Sequence, residues 1–322
     1  MHYDIFNGDA DGIIALLQLR LATPKQSQLI TGVKRDIKLL NHVVTAGDAT
    51  SVTALDISME KNTAPLQKLL NQGINVFYCD HHRCGEIPQS PYLETLINLD
   101  SEVCTSLLIN QRLNGQFVTW AIAATFGDNL HQRAQSIAEN AGLNQEDTNY
   151  LCELGTLINY NSYGASLDDL HIPPTKLFQQ LLNYPDPFML REDPKSPYYQ
   201  LQKGYAYDNS KITGITPVAE NMVCRVFELP SEAWARRISG VFSNELTNQS
   251  PKLAHAVLTL NENQKNYTVS VRAPLRNRMG ADEVCCQFAT GGGRKAAAGI
   301  NALPLDEKMH FIDVLTHYYQ QN

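Results

Sequence analysis

The sequence predicts an α/β protein in two parts: an N-terminal domain on a parallel sheet, then a smaller C-terminal domain of mixed α/β type. Three observations point there. Over the first 130 residues, short apolar runs alternate with helical patterns, the arrangement of βαβ units. The length, 322 residues, fits two domains at roughly 100–200 residues each. Late in the chain the rhythm changes to two apolar runs around a polar turn, which reads as a hairpin.

Taken in order, residues 3–6 (YDIF) form a short run that stops at the turn pair Asn7-Gly8. Residues 12–21 (GIIALLQLRL) read as a helix. Residues 52–55 (VTAL) are a second strand, followed by a helical stretch near 64–70. Residues 75–79 (NVFYC) are a third strand, bounded by Gly73 before and polar residues after. From 101 to 160 the chain is mainly helix, including 104–113 and 134–141. Between about 184 and 218 come Pro185, Pro187, Pro194, Pro197, Gly204, Gly214 and Pro217. Such density marks either a domain linker or a long ordered loop of the first domain. The division adopted is a first domain over 1–200, a linker over 201–230 and a second domain over 231–322. In the second, 254–260 (AHAVLTL) and 267–272 (YTVSVR) are the hairpin strands. A short helix over 282–288 and a closing helix over 306–319 follow. The sequence carries no internal repeat and no low-complexity tract.

Hydrophobic residues make up 43% and charged residues 18%, enough for real cores and against wholesale disorder. With 26 Lys and Arg against 33 Asp and Glu, the chain is a poor coat for nucleic acid, though a local basic groove stays open. Residues 1–230 hold 16 basic and 25 acidic side chains; residues 231–322 hold 10 and 8. The first part is acidic enough to hold metal, and the second could meet an anion. No apolar run approaches the roughly 18 residues of a membrane span. The start, Met1-His2-Tyr3-Asp4, lacks the form of a signal peptide. The seven cysteines show no paired CxxC units, which reads as reduced thiols in a cytoplasm. A membrane protein, a secreted disulfide scaffold and a zinc ribbon are disfavoured.

The aspartates carry more information. Asp9-Ala10-Asp11-Gly12 follows the first strand, Asp56 directly follows the second, and Asp80 directly follows the third and opens Asp80-His81-His82. Ligands of an open parallel sheet bind beyond the carboxyl ends of its strands. Three strands thus deliver carboxylates and imidazoles to one edge. Clustered carboxylates repel one another unless a cation compensates. Asp with a few His suits Mn2+ or a similar divalent ion, whereas Mg2+ prefers oxygen alone. Two such ions about 3.5–4 Å apart clamp a phosphoryl group and activate water. Each feature alone has a plainer reading: an Asp after a strand is commonly a turn or cap residue, and a double His is commonly structural. The repetition after three strands points to metal-assisted phosphoester hydrolysis. EF-hand spacing, a P-loop, a dinucleotide fingerprint and a GxSxG elbow are all absent.

Together these segments resemble the DHH phosphoesterase family. Asn7-Gly8-Asp9-Ala10-Asp11-Gly12 is similar to its first motif, and Asp56, in Ala54-Leu55-Asp56-Ile57-Ser58, to its second. Asp80-His81-His82 looks like the signature third motif, and Asp128, in Phe126-Gly127-Asp128-Asn129, is the best match to the fourth. Residues 291–299 (GGGRKAAAG) resemble the glycine-rich motif of the associated C-terminal domain, DHHA1. The match runs in the expected order over almost the whole chain. The general look-alikes are two-domain nanoRNases and pAp phosphatases, and RecJ-like exonucleases. The resemblance implies a DHH domain, a DHHA1 domain and an active site in the cleft between them. It also implies two metal ions, Mn2+, with Mg2+ as the alternative. Asp11, Asp56, His81 and Asp128 would hold one ion. Asp9 would hold the other, with Asp56 bridging. Asp80 would bind or orient from behind, and His82 would contact the scissile phosphate and stabilise its growing charge. The nucleophile would be water activated by the metals. Asn7 departs from the His or Asp often found at that point. Its amide either coordinates, or bonds water nearby, or is a turn residue before Gly8.

Gly291, Gly292 and Gly293 precede Arg294 and Lys295. One reading is a backbone nest for an anion, flanked by two cations. The other is a glycine turn packed on small alanines. By resemblance, Gly292, Gly293, Arg294 and Lys295 bind the nucleotide away from the metals. Arg294 stands where the family usually has His; it keeps the cation and can stack on a base. Arg272 joins them as a substrate-binding candidate because it ends its strand. Tyr160, Tyr163, Tyr198, Tyr199, Tyr205 and Tyr207 either stack on bases or pack. The expected reaction is nanoRNase-like: phosphoester hydrolysis in a short oligonucleotide or nucleotide, releasing mononucleotides. Alternatives are a cyclic or linear dinucleotide phosphodiesterase, a pAp 3′-phosphatase, an exopolyphosphatase or pyrophosphatase, and a non-catalytic nucleotide sensor. The partner is thus a short oligonucleotide or nucleotide, not a membrane, and the resemblance leaves room for a homodimer.

Overall fold

The computed structural model describes residues 1–321. They form two compact units, one from Met1 to Gly204 and one beginning at Tyr205. The first is built on strands β1 (His2–Phe6), β2 (Gln28–Ile30), β3 (Ser51–Leu55), β4 (Asn75–Asp80) and β5 (Leu93–Ile97). All pair in parallel in the order β2-β1-β3-β4-β5. Helices α1 (Ala10–Ala22), α2 (Leu40–Ala46) and α3 (Met59–Asn71) are the crossovers. Side chains alternate across the sheet. Tyr3, Ile5, Val52, Ala54, Val76 and Tyr78 therefore share the face that α2 and α3 cover.

On the other side, α1 is apolar all round: Ile13, Ile14, Ala15, Leu16 and Leu17 are fully buried. Such a helix needs cover on every side. It packs against α4 (Thr105–Arg112), α5 (Val118–Gly127), α7 (Gln145–Tyr160) and α8 (Pro174–Leu181), with α6 (His131–Asn140) lying against α5. The helices α5 and α7 touch backbone to backbone at Gly155, where a Cβ would fall 1.9 Å from the Ala123 carbonyl oxygen. A short α9 (Met189–Glu192) leads into α10 (Pro197–Ile212).

Residues 201–230, read from sequence as a linker, are mostly regular structure. The division at Gly204 falls inside α10, and β6 (Ala219–Glu220) and β7 (Cys224–Leu229) begin the second sheet. Pro197 opens α10, where its missing N–H costs no bond. The prolines here mark element ends.

The second unit continues with α11 (Ala233–Gln249), β8 (Ala254–Leu260), β9 (Asn266–Arg272), α12 (Ala281–Cys285), β10 (Gly291–Gly293), β11 (Ala297–Pro304) and α13 (Lys308–Gln321). The sheet order is β10-β11-β9-β8-β7-β6. Only β7 and β8, joined through α11, are parallel. The expected hairpin is β8–β9. Val226, Ala256, Leu258, Val269, Val271 and Ile300 pack with Phe311, Ile312 and Leu315 of α13. The helix α11 covers the opposite face, where Phe242 meets Phe227. Among the described residues no helix is long and apolar enough to cross a membrane, and all seven cysteines are free thiols.

Candidate metal centre and active site

Two strand ends and three helix ends meet beyond the carboxyl edge of the parallel sheet. Asp9 is the N-cap of α1, and its Oδ1 accepts the Gly12 N–H at 3.0 Å. A short polar side chain at this position satisfies an amide that the helix leaves unpaired. Asp11 lies in the first turn of α1. Its two oxygens accept the backbone N–H groups of Thr105 and Ser106 at 2.7 Å each, so the positive end of α4 docks on this carboxylate. Asp56 follows β3 with φ of 58°. Its Oδ1 accepts from the Thr105 hydroxyl at 3.1 Å, and its buried Oδ2 has no hydrogen-bond partner. Asp80 ends β4, with Oδ1 2.7 Å from His82 Nδ1 and a second orphaned oxygen, Oδ2. Asp128 caps the C-terminus of α5.

His81 stands in the middle. Its Nδ1 lies 2.7 Å from the Val103 carbonyl oxygen. A carbonyl only accepts, so Nδ1 carries a proton, and in the neutral ring Nε2 would offer its lone pair. That Nε2 is 3.4 Å from Asp56 Oδ1, 3.7 Å from Asp11 Oδ2 and 3.9 Å from Asp128 Oδ2. Asp56, His81 and His82 also present ligand atoms that all lie within 4.8 Å of one another. Atoms bound to one octahedral ion at about 2.1 Å sit roughly 3–4.2 Å apart. The oxygen and imidazole donors, the ring orientation and the two orphaned oxygens all fit a divalent ion of the Mn2+ kind.

The electrostatics say the same. Burial and the charges of Asp9, Asp11 and Asp80 push the Asp56 pKa well above the carboxylate range. Burial works against the Asp80 anion too, but His82 and His81 more than offset it and hold its pKa low. Asp9 is likewise held low against its burial, first by the charge of Lys34.

Lys34 is the residue that sequence reasoning missed. Its Nζ lies 2.5 Å from Asp9 Oδ2 and 3.0 Å from Asn159 Oδ1. Burial disfavours the ammonium, yet the charges of Asp9, Tyr163 and Asp128 raise its pKa. Nothing in Gly32-Val33-Lys34 announces a site, because its partners come from distant parts of the chain. Asn7 spends its amide locally. Its oxygen accepts the Asp9 N–H at 3.3 Å, and its NH2 group donates to the Lys34 carbonyl at 3.3 Å. Thr105 and Ser106 read from sequence only as the start of a helix.

No protein-family profile and no curated protein matches the chain. Solved structures do. An exonuclease RecJ bound to manganese matches with a TM-score of 0.60 at 16% identity, over 100% of this chain and 90% of the other. RecJ of Thermus thermophilus with Mn2+ gives 0.62 at 15%, again over 100% of this chain. This chain covers 52% of that enzyme, about half its length. The pGpG-specific phosphodiesterase PggH from Vibrio cholerae gives 0.54 at 12%, over 100% of this chain and 99% of the other. The chain has the fold of the DHH phosphoesterases.

In this DHH-type fold the remaining candidates lie in the second unit. The glycine-rich segment begins as a strand. Gly291, Gly292 and Gly293 form β10, paired antiparallel with Ile300, Gly299 and Ala298 of β11. Arg294 N–H donates to the Ala297 carbonyl at 2.8 Å and closes the hairpin. Glycine is needed because the strand lies directly on α12: a Cβ at Gly291 would fall 1.7 Å from the Cys285 carbonyl oxygen. A Cβ at Gly292 would meet no atom within 4 Å. Lys295 is exposed at the hairpin tip, and its carbonyl accepts from Ala281 at 2.9 Å. Arg272 turns its Nε to Asn244 Oδ1 of α11 at 2.6 Å.

Proposed function

We propose that this protein is a metal-dependent phosphoesterase that hydrolyses short oligonucleotides or nucleotides, releasing mononucleotides. The observation that carries the reading is the position of His81 Nε2, pinned from behind by Val103 and within 3.4–3.9 Å of Asp56, Asp11 and Asp128. Asp11, Asp56, His81 and Asp128 would hold a divalent ion, with Asp9 on the far side of Asp56. Such an ion supplies charge to activate water and to neutralise phosphate oxygens. The protein's own groups do the rest. Asp80 holds the His82 ring by its Nδ1 and leaves Nε2 for a non-bridging oxygen of the scissile phosphate, whose charge grows in the transition state. Arg294 and Lys295, with Gly292 and Gly293 of a strand that is open at Gly292, suit the anionic and planar parts of a nucleotide. A linear dinucleotide is the second reading. It is favoured by the full-length match to PggH, whose own substrate is pGpG.

The test is product analysis with and without Mn2+, on a 5′-labelled diribonucleotide, a five-residue RNA, pGpG, pAp and tripolyphosphate. Metal-dependent release of mononucleotides, lost in Asp56→Asn, is expected. Turnover of the dinucleotides alone would favour the second reading. Turnover of tripolyphosphate alone would overturn both.

A further inference from the structure

The family resemblance implies two ions, one of them seated on Asp9. The surroundings of Asp9 do not offer that seat. One of its oxygens is taken by the Gly12 N–H at 3.0 Å and the other by Lys34 Nζ at 2.5 Å. The ammonium sits in a built socket. Asn159 Oδ1 accepts from it at 3.0 Å, and the Tyr163 ring centroid lies 5.5 Å from it. The Lys34 backbone is tied down on both sides, its N–H to the Ser162 carbonyl at 2.9 Å and its carbonyl to the Asn7 NH2 group at 3.3 Å. Asn7 is the residue that leaves this side one anion short, and it spends both ends of its amide on Asp9 and on the Lys34 loop. A neutral amide where an anionic or imidazole ligand would stand, and a fixed cation opposite it, are complementary departures.

We propose that Lys34 is a resident cation on the Asp9 side of the centre, so that the protein holds one divalent ion tightly where a two-ion site would be expected. The inference rests on the metal centre proposed above. Lys34 is a positioning residue: it fixes Asp9 and supplies one positive charge where a second ion would bring two. A divalent ion approaching Asp9 meets direct repulsion from the ammonium, which in a buried site is strong.

The experiment is equilibrium dialysis of the full chain against graded MnCl2, with bound manganese counted and its EPR spectrum recorded. Wild type should saturate at one ion per chain, with the spectrum of an isolated ion. Lys34→Met combined with Asn7→Asp should bind a second ion on the order of tenfold tighter or more than wild type does, and spin coupling between the ions should appear. Lys34→Arg, which keeps the charge, should stay at one. Two ions of similar affinity in wild type would overturn this inference and leave the metal centre standing. So would a double variant that folds, by circular dichroism, yet still binds one. No bound manganese in wild type would overturn both readings together.

Discussion

Asp56 adopts φ of 58°, a left-handed backbone that costs an ordinary residue about 1–2 kcal/mol and that Asp and Asn tolerate best. Asn129, next to Asp128, does the same with φ of 62°. Asp56→Asn therefore removes the charge without adding backbone strain, whereas Asp56→Ala would mix the two. His82 raises a different question, since it could serve metal or substrate. If it meets the phosphate, His82→Ala should lower kcat by on the order of 10²–10³-fold while Mn2+ binding barely changes. Loss of bound Mn2+ in that variant would make it a ligand instead. Most of these positions were legible because each follows a readable strand or helix end. Lys34 was not. Its meaning lies in Asp9, Asn159 and Tyr163, and no spacing in the chain announces that they meet.

The contact between α5 and α7 is what places Asp128. Gly155 lets the two backbones touch, and a Cβ there would sit 1.9 Å from the Ala123 carbonyl. No flexible side chain can yield, so one helix must move. Gly155→Ala should destabilise the protein by about 1–3 kcal/mol. Because α5 ends at Asp128, it should also weaken Mn2+ binding. Urea unfolding and metal titration check both; unchanged stability would mean the helices part easily. At this scale the sequence was readable where elements are central. The strands β3 and β4 are apolar and buried; β2 and β5 lie at the sheet edges, short or half-exposed, and gave no apolar run. The strand β10 was missed because three glycines have low strand propensity. It pairs with β11 all the same, and at Gly291 only glycine fits against α12.

Across the molecule as a whole, pH enters through a buried ion pair between β1 and α1. Asp4, buried in β1, accepts from Arg20 Nε at 2.7 Å and from Ser27 at 2.6 Å. Burial alone would raise its pKa, but His2 and Arg20 bring it down to about 2 from an ordinary 3.8. The folded value lies below the unfolded one. The contribution, about 2 kcal/mol, is therefore complete above pH 4 or so and is lost as pH falls towards 2. Denaturant unfolding at stepped pH should show this decline in wild type. Asp4→Asn should be less stable at neutral pH, with Arg20 left unpaired, and should lack that part of the decline. If the two pH profiles ran parallel, Asp4 would not be the group responsible. The two-part organisation was visible in the changing strand rhythm, and the division at Gly204 falls within the proline-rich stretch, though inside a helix that Pro197 opens. The pinning of His81 by the Val103 carbonyl has a consequence in time. Val103, Asp11, Asp56 and Asp128 reach the ring from separate stretches of chain, so a newly made polypeptide would have no ready seat for the proposed ion until it has folded through Asp128. Loading of the proposed ion would then follow folding, and the pool that the finished protein encounters would set which metal it takes.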